Sequence, residues 1–164
     1  MNRGGTVENI YMTRINAKNV QQVLAADLNW NPNYSYSILP KEYEGKEIPE
    51  HWKVMLTPVE PPEKGYPRFR NVYLSQVKAE NVDEFISASG WNDSLRLENF
   101  YLHAIKATTN SLGKICYTRN FNLSDITLYA KNRNDMELKE NEQSNIQFSY
   151  ANPTNSDDRT AEHL

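Results

Sequence analysis

The chain has one cysteine, Cys116, in 164 residues, so no intrachain disulfide can form. Its setting, Lys114-Ile115-Cys116-Tyr117, reads as a strand, and the thiol is expected to be buried and inert. Histidine is almost as scarce. His51, His103 and His163 are isolated and none stands in a metal-ligand spacing, so neither a metal nor a cofactor is expected. No apolar run approaches the ~18 residues of a membrane span, and the N-terminus shows no apolar signal-peptide run. Neither an export signal nor a membrane partner is therefore expected. The net charge is only −3, with no concentrated basic face, which argues against a nucleic-acid groove. Proline is nearly absent outside one stretch: seven of the eight lie between Pro32 and Pro67.

What is present is a repeat. Val7-Glu8-Asn9-Ile10-Tyr11-Met12 reads apolar, any, Asn, apolar, any, apolar, and Ile15 and Ala17 continue the alternation. The pattern returns at Phe69-Arg70-Asn71-Val72-Tyr73-Leu74 and at Leu97-Glu98-Asn99-Phe100-Tyr101-Leu102. A weaker fourth copy holds Asn120, Phe121, Leu123, Ile126 and Leu128. The Asn-to-Asn steps are 62, 28 and 21 residues, and the first is one repeat carrying an insertion. Alternation of period two marks strands with one buried face. Short strands joined by a two-residue corner, recurring at this interval, describe one rung of a coil. No rung buries its apolar face alone, and stacking makes a continuous core. Asn suits the corner because it tolerates left-handed backbone angles, and stacked Asn residues can form an amide ladder. The expected fold is all-β: a right-handed parallel β-helix of about four rungs. The rival is a leucine-rich repeat. There the Asn follows the strand; here it precedes it.

The expected organisation is a partial β-helix domain over 1–150, interrupted by an insertion at 27–68, and a disordered polar tail at 151–164. The insertion's prolines are expected to rule out a regular helix or a central strand, and Trp52-Lys53-Val54-Met55-Leu56-Thr57 reads as a strand within it. Its aromatics argue against disorder. Gly90-Trp91-Asn92-Asp93-Ser94 reads as a turn.

Together these stretches resemble the C-terminal part of glycoside hydrolase family 28, the pectin-backbone hydrolases related to polygalacturonase. Asn2-Arg3-Gly4-Gly5-Thr6-Val7-Glu8-Asn9-Ile10-Tyr11 resembles the segment after the family's last catalytic motif, and Phe69–Ser75 and Leu97–Phe100 resemble its later rungs. The insertion, with Asn29-Trp30-Asn31-Pro32 and Trp52-Lys53-Val54-Met55-Leu56, is similar to that of bacterial members. The resemblance covers about residues 2 to 148. It implies a secreted or periplasmic parent acting on galacturonan or rhamnogalacturonan.

The family's catalytic motifs do not appear. Asn-Thr-Asp and Gly-His-Gly are absent, Asp157-Asp158 lies in the polar tail, and Arg14-Ile15-Asn16 only approximates Arg-x-Lys. No catalytic residue is carried over. The family inverts, which requires two carboxyl groups ~6.5–9.5 Å apart around a water. Glu8 and Glu98 align across copies with Arg70 between them, which reads as a neutralised surface column rather than an acid and a base. The expected function is thus that of a pectinase fragment, inactive alone. The alternative is a non-catalytic β-helix module that binds polysaccharide or serves as a scaffold.

The candidate saccharide contacts are Trp30, Tyr34, Tyr36, Trp52 and Lys53, because sugar rings stack on aromatic faces and lysine meets uronate carboxylates. The competing reading is that these aromatics pin the insertion to the coil. Ile10, Met12 and Ile15 belong to a first rung with no rung below it in this sequence, so self-association through that edge is expected.

Overall fold

The computed structural model describes residues 4–28, 38–133 and 136–151. Strands dominate it: β1 (Thr6–Asp27), β2 (Arg68–Ser89), β3 (Leu97–Ala130), β4 (Glu137–Glu142), β5 (Asn145–Ile146) and β6 (Ser149–Tyr150). They form one six-stranded sheet in the order β1-β2-β3-β4, with β5 and β6 also pairing β3. Every pairing is parallel. The protein is all-β.

β1 and β2 have 22 residues each and β3 has 34, against a usual strand length of ~5–6. They reach this length by bending. Left-handed residues interrupt β1 at Asn9, Arg14 and Asn19, β2 at Asn71, Gln76 and Asn81, and β3 at Asn99, Ala104, Tyr117, Asn120 and Asp125. Each corner is one residue, not the expected two: Arg14 alone has φ 58°, while Thr13 stays in the ladder opposite Ser75. The left-handed conformation costs an L-residue about 1–2 kcal/mol, and less for Asn, whose amide bonds locally. A single such residue turns the chain and lets parallel pairing resume on both sides.

The repeat copies lie in register. Val7 pairs Phe69, which pairs Leu97; Ile10 pairs Val72, which pairs Phe100; Met12 pairs Leu74, which pairs Leu102. The fourth copy continues within β3, which passes back over itself: the Phe121 ring stacks on Phe100 at 5.2 Å. The inward residues make a single core, in which Phe85, Phe100, Phe121, Leu102, Ile105 and Leu128 are fully buried. Each such side chain contributes roughly 1.5–3 kcal/mol of transfer free energy. A register shift between Ala79 and Val82 ends the perfect repetition of β2 in β3. Beyond it Thr109 is buried opposite Val82, and its hydroxyl donates to Ser111 O at 2.7 Å.

The insertion differs from its sequence reading. Trp52–Leu56 is not a strand but most of a helix, α1 (Glu50–Leu56). Pro49 precedes the helix, where a missing N–H costs nothing, and Pro58 follows its C-cap, Thr57. The seven helical residues and the C-cap Thr57 fill the space between the two prolines. The alternation of Trp52, Val54 and Leu56 concealed a helical set: Trp52, Met55 and Leu56 are half-buried, while Val54 is exposed. Two 3-10 turns, Lys41–Tyr43 and Pro62–Gly65, complete the described part of the insertion. Gly90–Ser94 is a turn, as expected. Of the tail, 152–164 lies outside the described residues.

Candidate functional site

The outward positions of the stacked copies form three columns. The first is electrostatic and follows the residue just before each corner Asn, and before Gln143 at the last corner. Glu8, Arg70, Glu98, Arg119 and Glu142 succeed one another with alternating sign. Arg70 Nε donates to Glu8 at 2.7 Å, and Arg119 bridges Glu98 and Glu142 at 3.0 Å each. The hydrogen bond and charge of Glu142, with Glu98 behind them, hold the Arg119 guanidinium above its ordinary pKa. Glu8 and Glu98 are therefore ion-paired carboxylates on separate levels, the arrangement expected of a neutralised column.

The second column is the corner amides. Asn71 Nδ2 donates to Asn9 Oδ1 at 3.0 Å, Asn99 to Asn71 at 2.9 Å, and Asn120 to Asn99 at 2.9 Å. The third is aromatic. Tyr11 stacks on Tyr73 at 4.8 Å and 2°, and Tyr73 on Tyr101 at 5.0 Å and 10°. These spacings match the ~4.7–4.9 Å between neighbouring strands, so the backbone ladder sets the stacking.

Beside the electrostatic column lies a cleft of about 280 Å³ lined by Glu63, Tyr66, Pro67, Arg68, Phe69, Arg70, Ser94, Leu95, Arg96 and Glu98. Two connections wall it. The insertion returns to the sheet through Glu63–Pro67, where Arg68 N bonds Gly5 O at 2.9 Å. Opposite, the 90–96 turn is closed by Trp91 N to Leu95 O at 2.8 Å and by Asn92 Oδ1, which accepts from Ser94 N and Leu95 N. Arg96 fixes that turn from within. Its side chain is buried, donates to Asp93 O and Glu140 O, and reaches Glu142 at 3.0 Å. Arg68 and Arg70 stand two apart on one strand and so face the same side. Arg70 is held by Glu8, whereas Arg68 is exposed and pairs with no acidic side chain among the described residues. The cleft thus carries one uncommitted guanidinium beside a phenol, a setting that suits a carboxylate on a hydroxylated ring.

Of the residues expected to bind saccharide, Trp52 and Lys53 do not line this cleft. Trp30, Tyr34 and Tyr36 lie outside the described residues. Trp52 sits on α1 against Tyr43, with ring centroids 6.5 Å apart, and His51 at 6.0 Å. Lys53 bridges Glu50 at 3.2 Å. Sequence reasoning did not single out Arg68 or Arg96. The available signal was Arg68-Phe69-Arg70, two basic residues at strand spacing directly after the insertion.

Among the described residues no cluster of three or more His, Cys, Asp or Glu could hold a metal, and no helix is long and apolar enough to cross a membrane. Comparison of the chain with protein-family models, curated proteins and solved structures gave no match.

Proposed function

We propose that the chain is the C-terminal part of a pectin-degrading glycoside hydrolase built as a right-handed parallel β-helix, and that it supplies a substrate-contacting wall rather than the cutting centre. The observation that carries this reading is the stacking of the three stretches that resemble family 28. They start from Val7, Phe69 and Leu97, which pair directly in parallel register. One-residue corners, repeated on successive levels, fit a helical coil of short strands. The cleft supports a uronate ligand, with Arg68 meeting the carboxylate and Tyr66 the ring.

The experiment is affinity electrophoresis of the chain in gels holding polygalacturonate, rhamnogalacturonan or a neutral glucan, with a reducing-end assay in parallel. The expected result is retardation by a uronate polymer, weakened at least five-fold in Arg68→Ala, with no hydrolysis by the chain alone. Equal retardation by the neutral glucan, or none by any polymer, overturns the substrate class. Turnover that is lost on mutating this chain overturns the non-cutting role. Mixing with an upstream half from a family member that carries the catalytic motifs separates the two readings of the chain. A gain of hydrolysis supports an enzyme part. Binding without that gain makes the chain a non-catalytic polysaccharide-binding module.

A further inference from the structure

We propose that Glu63 is a specificity-determining residue of the cleft. It selects a sugar chain in which the ionised uronate at Arg68 has an uncharged neighbour, against a run of ionised uronates. This selection rests on the uronate contact proposed above for Arg68.

Five charged side chains line the cleft: Glu63, Arg68, Arg70, Arg96 and Glu98. Three of them are committed. Arg70 donates to Glu8 at 2.7 Å, Glu98 accepts from Arg119 at 3.0 Å, and Arg96 reaches Glu142 at 3.0 Å. Each of these charges is balanced where it stands. Arg68 and Glu63 remain. Both are exposed, and among the described residues neither forms an ion pair with the other or with any third side chain. Their backbones keep them apart. Arg68 opens β2, whereas Glu63 belongs to the 3-10 turn Pro62–Gly65, which Tyr66 N closes on Glu63 O at 3.2 Å. Pro62 and Pro67 restrict the chain on either side of that turn. One cleft therefore presents a free guanidinium and a free carboxylate that do not neutralise each other.

The two charges ask for different groups. A cleft of about 280 Å³ lies just below the ~300–1,000 Å³ of small-molecule pockets, so it takes a short stretch of sugar chain. One ionised carboxylate there meets Arg68. A second, on the next ring, finds no uncommitted cation and meets the charge of Glu63. The two like charges repel, and the ligand between them displaces the water that screens them. An uncharged neighbour reverses the sign. Its hydroxyls donate to the Glu63 carboxylate, and hydrogen bonds to an ionised acceptor are the stronger kind. Glu63 thus separates two ligands that Arg68 alone would treat alike, by repelling one as much as by holding the other. Two kinds of chain place an uncharged group beside a uronate. In one, some uronates are methyl-esterified; in the other, uronates alternate with neutral sugars.

The test is affinity electrophoresis of the full chain in gels of four kinds. They hold fully de-esterified polygalacturonate, the same polymer partly methyl-esterified, a polymer of alternating uronate and neutral deoxyhexose, or a neutral glucan. At equal content of ionised uronate, at least one of the two spaced polymers should bind about three-fold more tightly than the de-esterified one. Which of them does so identifies the uncharged neighbour. Glu63→Gln should raise affinity for the de-esterified polymer about three-fold and change the others less than about two-fold, so that the preference disappears. Glu60→Gln makes the same change of net charge outside the cleft and should keep the preference. Retardation by the uronate polymers that Arg68→Ala weakens, with no preference, the reverse preference or one that Glu63→Gln keeps, overturns the role of Glu63 alone. So does a gain in Glu60→Gln as large as in Glu63→Gln, which would assign the effect to net charge. No retardation by any uronate polymer, or retardation that the neutral glucan matches, overturns the Arg68 contact and the selection with it.

Discussion

Asn120 Nδ2 donates to Asn99 Oδ1 at 2.9 Å across 21 residues of sequence, and both residues hold left-handed backbone angles, φ 55° and 58°. The side-chain bond and the backbone corner are thus one device. An amide needs the corner to reach its neighbour, and the corner needs a residue that tolerates positive φ. Asn99 accepts from Asn120 and donates to Asn71, so it lies inside the ladder. Asn99→Ala loses both bonds and gains backbone strain, for an expected loss of about 2–3 kcal/mol. Asn99→Gly removes the bonds but relaxes the backbone, and should lose about 1 kcal/mol less than Asn99→Ala. Urea midpoints of the two variants measure the difference. Equal midpoints would mean that the corner's conformation carries no cost.

That device was legible in the sequence because Asn recurs one position before an apolar alternation, and period two fixes which residues face inward. Ile10, Val72 and Phe100 could be placed on one column from their spacing alone. Helix α1 was not legible. Trp52, Val54 and Leu56 alternate as strand residues do, and only Pro49 and Pro58 mark a segment of helical length. The cleft was less legible still. Arg68, Tyr66 and Arg96 come from a strand start, an insertion end and a turn, and no local pattern says that the chain brings these together.

The burial gradient between levels predicts a gradient of mutational cost. Phe100 is fully buried between Phe69 and Phe121, each at 5.2 Å. Phe100→Ala should cost about 3–5 kcal/mol through lost transfer energy and a cavity. Met12 occupies an inward position of β1 but is only half-buried. Met12→Ala should cost less than the usual ~2–5 kcal/mol for a core methionine or leucine. Leu102→Ala, at the position in register with Met12 through Leu74, is the matched control and should cost more than Met12→Ala. Thermal unfolding of the three variants checks the order.

Gly113 is expected to resist substitution. Its φ is +87°, and a Cβ there would lie 1.9 Å from Ile86 O and 2.6 Å from Glu84 Cγ. Ile86 O is backbone of the paired strand and cannot step aside. Gly113→Ala should cost at least ~2 kcal/mol. Gly5→Ala, where a Cβ meets nothing within 4 Å, should be near neutral. Denaturation midpoints within error of each other would contradict the close approach.

Cys116 should behave as an unreactive thiol. Burial, and then the charge of Glu137, push its pKa up. Its Sγ lies 3.9 Å from Glu137 Oε1. The thiolate is the reactive form, so labelling by a disulfide reagent at neutral pH should be slow in the native chain and fast in denaturant. Folding holds the proton, so the native state loses stability as pH rises through the ordinary thiol range toward the raised folded value. Cys116→Ala should lack that alkaline decline. Native labelling as fast as in denaturant would refute the buried thiol.

Arg96 and Arg119 both meet Glu142, but the two contacts should differ in energy. The Arg96 side chain is 4% exposed and the Arg119 side chain 45%. An exposed pair contributes about 0–1 kcal/mol, because solvent screens it and two long side chains lose freedom. Arg119→Ala should therefore change stability little, and added salt should shrink the difference further. Arg96 also satisfies Asp93 O and Glu140 O, which lose their donor when it is removed. Arg96→Ala should cost about 3–5 kcal/mol, largely independent of salt. The same change should loosen the turn that walls the cleft, since Asp93 O is one of the groups it releases. The proposed uronate binding should then be weaker in folded Arg96→Ala at low temperature, although Arg68 remains in place. Arg96→Lys keeps the charge but not the fork of donors, and should recover only part of the stability. If Arg96→Ala and Arg119→Ala lose the same stability with the same salt dependence, burial does not distinguish the two ion pairs.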